Sequence, residues 1–136
     1  MARHTPRGCR IIVIDDASPD AGVQDVLADF RDRGRFECHR NPENLGFTRT
    51  VNKGLRLAGD GDVVLLNADT QVTAGWVTRL RAAAYSDARV GTATPFSDNA
   101  GMFSAPVPGA NTLPEGLGLD RFARALAQGS ARKSRR

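Results

Sequence analysis

The chain has 136 residues, 40% of them hydrophobic and 25% charged, the usage of one globular domain with a core, which excludes a collagenous, fibrous or wholly disordered chain. The net charge is +4, and Arg132, Lys133, Arg135 and Arg136 supply as much by themselves, so the body is neutral and the basic signal is a terminal run that does not argue for nucleic acid. The longest apolar runs, at 11–14 and 63–66, fall far short of the roughly 20 residues that cross a bilayer, and the N-terminus lacks the apolar segment of a signal peptide, so the chain reads as cytosolic.

Residues 9–14 form a β-branched run without polar alternation, the pattern of a strand covered on both faces of a parallel sheet. It stops at Asp15. Ser18, Pro19 and Asp20 then offer an N-cap, a proline at the first helical position and an acid in the first turn, and Val23, Val26, Leu27 and Phe30 follow at helical spacing up to Gly34. Residues 36–39 read as a second strand and 41–46 as a loop. Phe47, Val51, Leu55 and Ala58 form the apolar stripe of a second helix that ends at Gly59. The order repeats with a third strand at 62–67, a third helix around Trp76, Val77, Leu80 and Ala84, and a fourth strand at 90–94. Such alternation predicts an α/β domain with a mostly parallel sheet. Residues 95–114 are rich in Pro, Gly, Ser and Asn and read as a long loop. Leu119, Phe122, Ala123 and Leu126 suggest a last amphipathic helix capped by Asp120 or a neighbour, and the basic run at 129–136 reads as a disordered tail. Cys9 and Cys38 are too few for a disulfide framework or a CxxC metal site, and read as buried small hydrophobes.

In an open α/β sheet, ligands bind beyond the carboxyl ends of the strands, so the polar residues just past each strand carry the chemistry. Three places qualify: Asp15, Asp16 and Ser18; then Asn67, Asp69 and Thr70; then Ser97, Asp98 and Asn99. Turn and cap chemistry accounts for any one of them alone. Two carboxylate clusters on one sheet edge need a cation or ligand donors to offset them. Oxygen ligands without neighbouring Cys or His favour Mg²⁺ or Mn²⁺ over Zn²⁺, arriving bound to a substrate's phosphates.

Residues 12–20 (Ile-Val-Ile-Asp-Asp-Ala-Ser-Pro-Asp), 44–47 (Asn-Leu-Gly-Phe) with 52–54 (Asn-Lys-Gly), and 65–70 (Leu-Leu-Asn-Ala-Asp-Thr) resemble successive blocks of family 2 glycosyltransferases. Residues 72–76 (Val-Thr-Ala-Gly-Trp) and 94–100 (Thr-Pro-Phe-Ser-Asp-Asn-Ala) narrow the resemblance to bacterial, rhamnosyltransferase-like members that build cell-surface polysaccharides. The likeness runs over residues 10–128. It implies a three-layer, Rossmann-like A-type domain that takes a nucleoside-diphosphate sugar and a saccharide or lipid-linked acceptor. Asp15 matches the carboxylate that reads the uracil or thymine ring, and Asp16 is its neighbour. Asn52 matches a residue facing the nucleotide, and Asn67 stands at the first position of the family's DxD-type motif. Asp69 matches the carboxylate that holds Mn²⁺ or Mg²⁺ across the two phosphates.

Against that pattern the chain is expected to lack the family's first strand and its acceptor half. The expected layout is an N-terminal segment at 1–8, a partial donor-binding domain at 9–128 and the tail, with no general base assigned. Self-association, or completion of the sheet by another chain, is expected on the same ground. Two alternatives are a fragment that binds nucleotide sugar without turnover, and a receiver-like domain phosphorylated on Asp69.

Overall fold

The computed structural model describes residues 1–34 and 36–129; of the expected tail only Gly129 is among them, and residues 130–136 lie outside the described residues. The chain divides into two compact units, one of residues 7–70 with Ala2 and one of residues 71 onward with Met1 and residues 3–6.

In the first unit, strands β1 (Ile12–Asp15) and β2 (Glu37–Arg40) pair in parallel, with Ile12 opposite Glu37 and Asp15 opposite Arg40. Helix α1 (Ala21–Asp32) connects them, and α2 (Phe47–Ala58) follows. This is the α/β class read from the sequence. Side chains alternate across a strand, so Ile12, Ile14, Glu37 and His39 share one face while Val13, Asp15, Cys38 and Arg40 share the other. Each face has its helix. On the first, Gly54 of α2 comes so close that an added Cβ would lie 3.3 Å from Ile14 Cδ1, and Arg10 ties Glu37 (2.8 Å) to the Leu57 carbonyl (3.2 Å). On the second, Cys38 Sγ donates to the Leu27 carbonyl of α1 at 3.8 Å, and the Phe30 and Phe36 rings meet at 4.8 Å just before β2. The unit is therefore helix, sheet, helix.

Several local expectations shift. Asp20, not Ser18, caps α1 by accepting the Gly22 N–H at 2.8 Å, because α1 begins at Ala21 and Ser18 belongs to the preceding turn, its amide held by Asp15. Ala17 takes φ 59° to make that turn, a left-handed conformation costly for a residue with a Cβ. Strand β2 runs one residue further than expected, which brings Arg40 into the ladder. Phe47 and Leu55, expected in the buried stripe of α2, are exposed; the partly buried positions include Thr50, Val51, Lys53, Gly54, Leu57 and Ala58. Cys9 and Cys38 are free and half-buried rather than buried.

The expected third and fourth strands, 62–67 and 90–94, do not form: among the described residues the sheet has two strands. An apolar run states a preference for burial, whereas a ladder requires a neighbouring backbone about 4.8 Å away. The expected core is likewise slight. Among the described residues Ala105 alone is a buried hydrophobic, because two strands of four residues cover too little area to close off the side chains around them.

The second unit contains α3 (Trp76–Ala84) and α4 (Leu119–Gly129). Arg79 of α3 reaches back to Thr73 Oγ1 (3.1 Å) and the Ala74 carbonyl (2.7 Å). Asp120 sits inside the first turn of α4 rather than capping it, where its charge favours the positive helix end. The loop at 95–114 contains one short 3-10 turn, Gly101–Phe103, and two isolated bridges, Ser97 with Ser104 and Asn99 with Ala110. Side chains also hold it, as Asn111 Nδ2 donates to the Asp98 (3.0 Å) and Val107 (2.9 Å) carbonyls and buried Ser104 accepts the Ala100 N–H at 2.7 Å. No helix among the described residues is long and apolar enough to cross a membrane.

Candidate functional site

The carboxyl ends of β1 and β2 carry a polar network built on two consecutive acids that serve different helices. Asp15, the last residue of β1, lies on the α1 face. Its Oδ1 accepts the Ser18 N–H at 2.9 Å, and its Oδ2 accepts Gln24 Nε2 of α1 at 2.7 Å and Arg40 Nη1 of β2. The carboxylate is withdrawn from water, its side chain 2% exposed. Hydrogen bonding from Ser18 holds it below the ordinary aspartate range, with Gln24 and the Arg40 charge adding to the effect and burial opposing it.

Asp16 continues the alternation to the α2 face. Its Oδ1 accepts Asn41 Nδ2 (2.7 Å) and the Leu45 N–H (2.9 Å), and its Oδ2 accepts the Gly46 N–H (2.8 Å). Asn41, foremost among these partners, keeps Asp16 ionised below the ordinary range together with the Leu45 amide, Thr50 and the Gly46 amide, against partial desolvation. Gly46 precedes α2 with φ 77°, a backbone that favours glycine, and so lets its N–H face the carboxylate. Asn41 is 1% exposed. It also donates to Thr50 Oγ1 (3.0 Å), accepts Lys53 Nζ (2.7 Å), and its own N–H reaches the Asp15 carbonyl (2.8 Å). Two acids, one arginine and one lysine thus stand at one end of the sheet with their charges balanced.

The other expected site residues lie outside this network. Asn52 is exposed on α2, on the side away from the positions that face β1. Asn67 and Asp69 are exposed on a turn closed by the Thr70 N–H on the Asn67 carbonyl at 3.1 Å. No hydrogen bond or ion pair among the described residues joins them to Asp15 or Asp16. An amide oxygen and a carboxylate are hard donors suited to Mg²⁺ or Mn²⁺, but no group of three metal-ligating His, Cys, Asp or Glu occurs among the described residues. The donor set therefore fits a cation that arrives on phosphate oxygens, not a cage made by the protein alone.

Sequence reading passed over Gln24, Arg40, Asn41 and Lys53. The signal for Arg40 and Asn41 was parallel register: the ends of adjacent parallel strands lie side by side, so whatever follows one belongs with whatever follows the other. Lys53 carried no separate signal in a helix with basic residues at 49, 53 and 56.

A family model described as Glycosyl transferase family 2 matches residues 1–114. No curated protein and no solved structure matches the chain.

Proposed function

Because the chain belongs to glycosyl transferase family 2, we propose that the unit of residues 7–70 holds the nucleoside diphosphate of a sugar donor at the carboxyl ends of β1 and β2. A nucleotide-sugar donor and an acceptor are what this family uses. The observation that carries the reading is Asp15, an ionised acceptor fixed at a strand end by Ser18, Gln24 and Arg40. A carboxylate so held accepts an N–H from a uracil or thymine ring once one of these donors gives way. Asp16 shapes the loop before α2 that borders the nucleotide, and Asn52 and Asn67 are polar contacts along it. When bound, Mn²⁺ or Mg²⁺ would neutralise charge on the departing diphosphate, and Asp69 with Asn67 would hold it. In rhamnosyltransferase-like members the sugar would pass by direct displacement to a polysaccharide or lipid-linked hydroxyl, with the nucleoside diphosphate leaving and a general base taking the hydroxyl proton. With no such base assigned here, the proposal for this chain is the donor-binding part of that reaction.

Titration calorimetry with UDP and dTDP, with and without Mn²⁺, tests this. Mn²⁺ is expected to tighten binding, and Asp69→Ala to abolish that gain. Asp15→Asn, which loses a charged acceptor, should weaken binding by about 1–3 kcal/mol with or without metal. Metal-independent affinity, or an Asp69→Ala variant with the full metal response, overturns the role given to Asp69. An Asp15→Asn variant that binds as the native protein does overturns the role of Asp15.

A further inference from the structure

Asp15 is enclosed by its donors. The Ser18 N–H at 2.9 Å, Gln24 Nε2 at 2.7 Å and Arg40 Nη1 all reach its carboxylate. Its side chain is 2% exposed, so the carboxylate does not face water. A ligand N–H reaches it only once a resident donor moves aside.

The residents differ in how freely they leave. The Ser18 amide is set by the Ala17 turn at φ 59°, and Gln24 is anchored in the first turns of α1. Arg40 has a 44% exposed side chain, and its remaining bond, Nη2 to the Ser18 carbonyl at 3.1 Å, is at the surface. The Arg40 guanidinium can swing into solvent by side-chain rotation alone, with no change to the Ala17 turn or to α1.

We propose that Arg40 is a displaceable latch on Asp15 that makes the site select nucleotides over nucleosides. In the free protein it occupies the carboxylate. An imide N–H of a pyrimidine base takes its place, and the released guanidinium finds a new counter-anion in the phosphates of the same ligand. A nucleoside displaces the arginine without giving it a partner and binds poorly; a nucleoside diphosphate does both. The inference rests on the donor-site reading above and adds to it a residue that decides which ligands enter.

The test compares uridine with UDP in metal-free buffer, following amide resonances so that millimolar affinities are measurable, on native protein, Arg40→Gln and Arg40→Lys. Arg40→Gln should bind uridine about tenfold tighter and UDP more weakly, collapsing the preference for UDP by more than tenfold. Arg40→Lys, which keeps the charge and loses the fork, should fall between. If Arg40→Gln does not fold, the shift in Arg40→Lys decides. Native protein that binds UDP, with an unchanged UDP-to-uridine ratio in every variant that folds, overturns the latch and leaves the donor reading standing. Native protein that binds neither ligand, with or without Mn²⁺, overturns both.

Discussion

Asn41 is the largest side chain withdrawn from water among the described residues, and it is polar. A buried amide survives only if its hydrogen bonds are made, and here they tie the end of β2 to Asp16, Thr50 and Lys53. Asn41→Ala should therefore lower stability by about 3 kcal/mol, since it leaves partners of the amide unsatisfied; urea unfolding followed by circular dichroism measures it. The acids at 15 and 16 were legible in the sequence as candidates. Their division of labour was not, because it comes from strand alternation: one falls on the α1 face and the next on the α2 face. Consecutive carboxylates here do not form an acid pair. Ser18 and Asp20 both offer a side-chain oxygen that could cap a helix, and only the fold decides that α1 starts after Asp20 while Ser18 stays in the turn that closes on Asp15.

The elements around the site depend on ionised carboxylates. Asp15 and Asp16 hold α1, β2 and the start of α2, Glu37 holds Arg10 and His39, and all three carboxyls lie below their ordinary values in the folded chain, Glu37 chiefly through the Arg10 hydrogen bond. A depressed folded value means that the unfolded chain binds more protons as pH falls, so this stabilisation is complete above pH about 5 and is lost on acidification through pH about 4 and below. Helicity at 222 nm should fall in that window, and Asp16→Asn should give a protein less stable at neutral pH whose stability changes less with acid. Placement of the four helices was legible from the helical spacing of apolar residues in each, with Gly34 and Gly59 marking where the first two end. The runs at 62–67 and 90–94 were read as strands on apolarity alone, and that signal does not say whether a second backbone is within reach.

At the scale of the whole molecule, the sequence has the apolar content of a domain with a core, while Val63, Val64 and Leu65 are 41%, 46% and 60% exposed and Ala105 alone is a buried hydrophobic among the described residues. Residues 63–66 combine β-forming side chains with backbone that makes no ladder, the features of a segment that pairs with another chain. The protein is expected to self-associate at micromolar concentration. Val64→Lys should return it toward the monomer in analytical ultracentrifugation while leaving the α-helical spectrum intact. An equal association state in Val64→Lys would move the contact elsewhere.

Asp16 has one more consequence. In many α/β proteins the start of a helix beyond a strand is where phosphate is captured, because unpaired amides and the helix dipole converge there. Here the Leu45 and Gly46 amides at the head of α2 already face an internal anion, the Asp16 carboxylate. An anion is thus already seated just ahead of α2. A diphosphate arriving at this sheet edge meets a negative charge that a mobile cation or a side chain has to offset, so affinity for the phosphate portion of a ligand should follow the ionic composition of the solution far more closely than affinity for the base.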